Sequence, residues 1–193
     1  MARHYFGYGS LVNAGTRQPG EVAVNGVLTG WRRTWAHFYG HPTGERRPGR
    51  SLSIREEATC QIAGAVVEIR EGTLARLDER ERGYDRLELD GSMIELANGE
   101  KLDSIYVYRS RSTQPEDAWN THPILRSYMD VVMQGYQDNF GAQGLIDLMA
   151  TTDHWVGAIR HDRDAPIYPR AIPLRDGEAA LFDDLLQQAQ VMI

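Results

Sequence analysis

The chain has 193 residues, 41% hydrophobic and 25% charged, with a net charge of −6. These are the values of an ordinary soluble globule, long enough for one domain with a real core. They exclude a nucleic-acid footprint, because the nearest basic block, Arg46-Arg47-Pro48-Gly49-Arg50, is short and full of turn formers. Cys60 is the only cysteine, so no internal disulfide can form, which fits a reducing compartment. Met1-Ala2-Arg3-His4 leads straight into a strand pattern, with no apolar signal segment and no run of membrane length. The expectation is a cytoplasmic protein with neither a membrane nor a nucleic acid as partner.

The first element is Tyr5–Asn13, Tyr-Phe-Gly-Tyr-Gly-Ser-Leu-Val-Asn. Its aromatics are strand-like, and Gly9-Ser10 marks a sharp turn off the strand end. Such a turn presents bare peptide N–H groups suited to a carboxylate or another oxyanion. Asn13–Gly20 is a loop by composition. Glu21–Leu28 alternates, Thr29-Gly30 reads as a turn, and aromatic-rich Trp31–Tyr39 reads as a second strand. His41–Arg50 is a loop, Ser51–Ile54 a short strand and Gln61–Ile69 a buried one. Glu71–Glu81 reads as a short helix ended by Gly83. Tyr84–Leu89 alternates again. Met93–Leu96 and Leu102–Tyr108 flank Asn98-Gly99, which predicts a hairpin. Helices are expected over His122–Asn139, from Pro123, over Ala142–Met149, and near Gly177–Val191. Thr151–Pro173 has no period, and so long a stretch in a compact domain is usually functional or a packed covering loop. Strands therefore dominate the first half and helices the second. That order predicts an α+β fold, a curved or barrel-like mixed sheet with flanking helices. Residues 1–150 form the expected domain, and 151–193 an extension packed on it or on a neighbour.

Several chemistries find no support. His37 and His41 are four apart, but Gly40 and Pro42 break any helix there, so no metal site is expected. Gly7-Tyr8-Gly9 is followed by Val12 where a dinucleotide loop needs glycine, and no phosphate-loop Gly-Lys-Ser/Thr is present. Cys60 reads as a small buried hydrophobe. In the expected helix, side chains turn by roughly 100° per residue. Leu74, Leu77 and Glu81 thus share one face, Glu79 points to water, and Asp78 lies at the stripe's edge. An inward Glu81 against an apolar wall has a raised pKa and can act as a general base. The bland alternative is a surface helix with Glu81 paired to Arg82 or Arg86.

The Tyr8-Gly9-Ser10-Leu11 turn and Leu77-Asp78-Glu79-Arg80-Glu81, about seventy residues apart, resemble the γ-glutamylcyclotransferase-like family (AIG2-like / ChaC-like superfamily). Its members begin with a strand ending in Tyr-Gly-Ser-Asn/Leu and carry a later Leu-Asp-x-x-Glu with a catalytic Glu. Thr29-Gly30-Trp31-Arg32-Arg33 resembles the family's Gly-Tyr/Trp-x-Arg segment. Gln61–Val67 resembles the strand before its catalytic helix, and Pro123–Tyr128 a Pro-Ser-x-x-Tyr helix start. Two features depart: Pro123 is not followed by Ser, and the Tyr falls one position late. The resemblance implies cleavage of a γ-glutamyl amide by the substrate's own α-amine, releasing 5-oxoproline and an amine, with no metal or cofactor. It implies Glu81 as general acid/base, the turn of Tyr8, Gly9, Ser10, Leu11, Val12 and Asn13 as anion grip, and Tyr128 as a hydroxyl donor. The partner is a small γ-glutamyl molecule, and a homodimer is possible. A non-catalytic binding module on the same scaffold and a water-using amidase stay open as alternatives. Arg32 and Arg33 read as a solvated strand edge, and Asp162-Arg163-Asp164 as a surface ion-pair cluster. Tyr168-Pro169-Arg170 is the stretch that could bring Arg170 over the pocket.

Overall fold

The computed structural model describes residues 3–40, 47–115 and 117–189. The chain begins with β1 (Arg3–Gly7) and two turns of 3₁₀ helix, Ser10–Val12 and Ala14–Thr16. Then follow β2 (Ala23–Tyr39), β3 (Gly49–Ile69), α1 (Leu74–Arg80), β4 (Tyr84–Asp90), β5 (Ile94–Leu96) and β6 (Ser104–Ser110). The second half holds α2 (Ala118–Thr121), β7 (Ile124–Leu125), α3 (Arg126–Ala150), β8 (Thr152–Asp153), β9 (Ile159–Arg160) and α4 (Glu178–Gln188).

One mixed sheet runs β4-β6-β1-β3-β2-β5, with the short β7, β8 and β9 attached beside it. The α+β expectation holds, with one correction. The sheet curls but does not close, because β4 and β5 are its two edges, so it is not a barrel. Its backbone is the antiparallel β2–β3 pair, seventeen and twenty-one residues long. The sequence reading splits each of these strands in two. Gly30, read as a turn, sits at φ +85° where the register slips between Thr29 and Trp31. A left-handed glycine there makes a bulge that bends a continuing strand rather than ending it. Residues 41–46 of the expected His41–Arg50 loop, and the end of the expected C-terminal helix, lie outside the described residues.

The hairpin at Asn98-Gly99 is also corrected. The turn exists: Gly99 has φ +77°, and the Glu100 N–H donates to Asn98 Oδ1 at 3.1 Å. Its flanks do not pair with each other. β5 joins β2, while β6 lies between β4 and β1, antiparallel to the first and parallel to the second. The β4–β6 pair is clasped instead at Gly91, whose N–H donates to the Asp103 carbonyl at 2.9 Å.

Helix α3 starts later than Pro123, because Ile124 and Leu125 pair as β7 first. Gly141, at φ 64° and ψ −158°, breaks it in two, where the sequence places a gap between Asn139 and Ala142. Its first eleven residues are all buried. One stripe, including Met129, Val132, Met133 and Tyr136, joins the sheet's core around Trp35. The opposite stripe is polar, and the tail satisfies it. Arg163 grips Asp130 through Nε and Nη2 at 2.7 and 3.0 Å and reaches Asp183 at 2.8 Å. Gln134 Nε2 donates to Glu178 at 2.8 Å. Phe182 and Leu186 of α4 are fully buried in the same core cluster. Two surface readings are thereby corrected. Asp162-Arg163 is a docking clamp rather than an exposed cluster. Arg33 is fully buried, its Nη1 donating to the Ala63 carbonyl and to Tyr136 Oη at 3.0 and 2.9 Å.

Gly135 is where α3 presses on the strand-end turn. A Cβ there would lie 2.6 Å from the Asn13 backbone nitrogen. Alanine gains up to ~1 kcal/mol of helix propensity, but displacing packed backbone costs about 1–3 kcal/mol. Gly135→Ala should therefore lower unfolding stability by about 1–2 kcal/mol in a urea titration. Wild-type stability would show that the turn is not seated on α3.

Candidate active site

The strand-end turn carries the first half of the site. Val12 N–H donates to Gly9 O and Asn13 N–H to Ser10 O, both at 3.0 Å. Those bonds close a 3₁₀ turn, and the N–H groups at its open end, on Gly9, Ser10 and Leu11, have no acceptor among the described residues. Val12 is fully buried. The Asn13 side chain donates to Val131 O and Gln134 Oε1 at 3.1 and 3.0 Å. These two residues anchor the turn to α3 and do not line the cavity.

Helix α1 brings the acid. Leu77 packs against the buried cluster of Tyr5, Leu11 and Val67. One helical turn later on that face, Glu81 lies beside the Ser10 turn with 16% of its side chain exposed. Its neighbours are held outward: Glu79 pairs with Arg82, and Asp78 pairs with Arg86 and accepts from Tyr108 Oη at 2.7 Å. The partner of Glu81 is Arg80, whose Nε is 3.2 Å from Oε1, not Arg82 or Arg86. Arg80 also donates through Nη1 to Thr16 O at 2.6 Å and lies 3.5 Å from Ser10 Oγ, so it ties the helix end to the turn.

Burial pushes the Glu81 carboxyl pKa above its ordinary value, and the cations Arg80 and Arg170 partly offset this. Removing Arg80's charge removes part of that offset. In Arg80→Gln the acidic limb of a kcat/KM–pH profile should therefore move to higher pH, whereas an unmoved limb would deny that Glu81 sets it.

Three phenols complete the recess. Tyr8 Oη donates to the Tyr108 carbonyl. Tyr84 Oη donates to Leu52 O at 2.8 Å, and its ring stacks on His37 with centroids 4.1 Å apart. Tyr128 Oη meets the Leu52 backbone and lies against Gly9, where a Cβ would be only 2.9 Å away. Burial raises the pKa of all three well above the usual phenol value, so they stay protonated near neutrality.

Glu81, Tyr8, Gly9, Ser10, Leu11, Tyr84 and Tyr128 surround a recess of about 40 Å³. Ser10, Glu81, Tyr84 and Tyr128 also form part of the wall of an outer cavity of about 800 Å³. Its far side comes from the irregular segment. Asp162 accepts from Ser127 N–H, Ser127 Oγ and Ile167 N–H at 2.8, 2.6 and 2.9 Å, pinning that segment to the start of α3. Tyr168 then lies edge-on to Tyr128, centroids 5.0 Å apart, and Ile167–Arg170 join the cavity wall.

Over residues 4–135 the sequence matches the profile of ChaC-like proteins. The chain belongs to the ChaC-like family. The fold agrees. A solved structure named γ-glutamyl cyclotransferase superposes with a TM-score of 0.62 at 15% identity, over 95% of this chain and 99% of that one. An uncharacterized human protein gives 0.58 at 18%, over 83% and 94%. YkqA from Bacillus subtilis gives 0.56 at 17%, over 77% of this chain and 53% of its own. No curated protein matches the sequence. By family the chain is ChaC-like, and its fold resembles that of the solved structure named γ-glutamyl cyclotransferase. Among the described residues, no helix is long and apolar enough to cross a membrane.

The ChaC-like match ends at residue 135, so the Ile167–Arg170 wall lies beyond it. Sequence reasoning missed Arg80, Tyr84 and His37. Arg80 was visible as the cation beside Glu81; the two rings carry no local signal, because only the β2–β3 pairing and the turn at Gly83 stack them.

Proposed function

We propose that the chain cyclises a γ-glutamyl amide to 5-oxoproline and a free amine, with Glu81 as the single acid–base group. The observation that carries this is the shared recess: Glu81 and the open end of the Gly9–Leu11 turn face one small volume. It has room for a carboxylate and not for a whole substrate. The substrate's α-carboxylate would sit on the free N–H groups, leaving its α-ammonium next to Glu81.

Glu81 takes a proton from the ammonium, since only the free amine has a lone pair. The amine attacks the γ-carbonyl, and a carbon–nitrogen bond closes the five-membered ring. Glu81 returns the proton to the departing nitrogen as the original amide bond breaks, and a second proton follows as the tetrahedral intermediate collapses. The ammonium loses two protons and the leaving amine gains two, so no water is consumed. The attack is intramolecular, so the site's main task is to hold a folded near-attack shape. The neutral phenol of Tyr128 can donate to the developing oxyanion where a phenolate would repel it, while the single Tyr84 proton is already given to Leu52 O. A raised Glu81 pKa suits a group that both accepts and donates a proton near neutrality.

The test is incubation of the purified protein with a panel of γ-glutamyl peptides and γ-glutamylamines, followed by chromatography for 5-oxoproline. Its time-dependent appearance supports the reading. Binding without turnover would favour a non-catalytic module.

A further inference from the structure

The outer cavity carries charge that the cyclisation step does not use. Among the described residues its wall holds Arg47, Arg76, Arg80, Arg82 and Arg170 against Glu79 and Glu81, in a chain whose net charge is −6. The two acids are already matched, Glu79 to Arg82 and Glu81 to Arg80. Arg47, Arg76 and Arg170 make no ion pair with a carboxylate among the described residues, and Arg170 reaches Glu81 only through its longer-range field. Elsewhere the chain matches surface arginines with acids, as at Arg32, Arg55, Arg86 and Arg175.

Arg76 and Arg170 stand on separate elements. Arg76 is on α1, the helix that presents Glu81. Arg170 is on the segment that Asp162 pins to α3 and that Tyr168 braces against Tyr128. That bracing fixes where the Arg170 backbone enters the wall, whereas an unanchored loop would also have to be ordered when its arginine gripped a ligand. The outer cavity is also far larger than the recess assigned to the α-carboxylate, so the leaving portion of the substrate occupies it.

We infer that the leaving amine is itself acidic, carrying two or more carboxylates, and that Arg170 is the residue that selects it. This rests on the cyclisation reading above. A neutral alkylamine would leave both guanidinium groups without an ion-pair partner. Two cations on different walls match two anionic groups better than one, and guanidinium pairs with carboxylate in a directed, two-pronged geometry. A cavity lined by one sign of charge also draws such a substrate in, an effect that added salt weakens. The bonds made and broken are unchanged; only the identity of the departing amine is specified.

The experiment compares kcat/KM, read as 5-oxoproline release at low ionic strength, for γ-glutamylglutamate, γ-glutamylglycine and γ-glutamylethylamide. The expected order is that of decreasing charge, with about tenfold or more between the first and last. Raising the salt concentration should narrow the gap. In Arg170→Gln the ratio of γ-glutamylglutamate to γ-glutamylethylamide should fall about tenfold, and Arg170→Lys should keep part of it. Equal kcat/KM for all three compounds, or an unchanged ratio in Arg170→Gln, overturns the inference while leaving cyclisation standing. No 5-oxoproline from any of them overturns cyclisation and this inference together.

Discussion

Glu81→Gln should lower kcat on a γ-glutamyl dipeptide by about 10²–10⁴-fold or more, with little change in KM. The amide keeps the size of the carboxylate, so the recess shape and the Leu77 packing beneath it survive. What it loses is the lone pair that accepts the ammonium proton, and with it the proton needed by the leaving nitrogen. Both halves of the reaction fail through one substitution, so the loss should not be recovered by raising the pH. Arg80 loses an ion-pair partner but keeps its bond to Thr16 O at 2.6 Å, so the helix end stays tied to the turn. A melting temperature within a few degrees of wild type would establish that the fold is intact. Undiminished kcat in a folded Glu81→Gln variant would remove Glu81 from the chemistry.

The second large effect is one of stability. Trp35→Ala should cost about 3–5 kcal/mol in urea unfolding, the range for deleting a large buried aromatic. Trp35 is fully buried on β2 and is the largest such side chain in the described structure. Its ring meets Tyr128 edge-on at 5.9 Å and Trp155 at 5.2 Å, so it is the point where sheet, α3 and tail share one contact. Truncation leaves a cavity directly behind Tyr128, and the neighbours come from three elements that cannot all collapse into it. Trp35→Phe should lose much less, since an aromatic face remains. A loss below about 1 kcal/mol for the alanine variant would mean the tail is not part of the core.

The most legible parts of this molecule were those whose signal is local. The Gly9-Ser10 turn, the helix over residues 74–80 and the break near Gly141 were each marked by residues that act on their own backbone. The failures share a cause. Gly30 and Asn98-Gly99 do adopt left-handed conformations, as glycine allows, yet a turn residue does not say which strands it connects. Gly30 bends one strand, and the Asn98-Gly99 turn lies between strands that pair elsewhere. Arg33 and Asp162 looked solvated because burial of a charge is decided by partners more than 30 residues away, Tyr136 for one and Ser127 for the other. For the candidate site, the recess gathers residues that the sequence names: Glu81, the Gly9–Leu11 turn, Tyr8 and Tyr128. Tyr84 joins them only through the sheet pairing, and Arg170 reaches the outer wall, where the sequence allows it, through the Asp162 anchor.

The most direct test of the account is the fate of solvent oxygen. The purified protein is incubated with a γ-glutamyl dipeptide in ¹⁸O-labelled water and the products are weighed by mass spectrometry. Attack by the substrate's own amine predicts 5-oxoproline free of label, formed one for one with the released amine. Glutamate carrying ¹⁸O in its γ-carboxylate would instead mean that water is the nucleophile, and would contradict ring closure at this site.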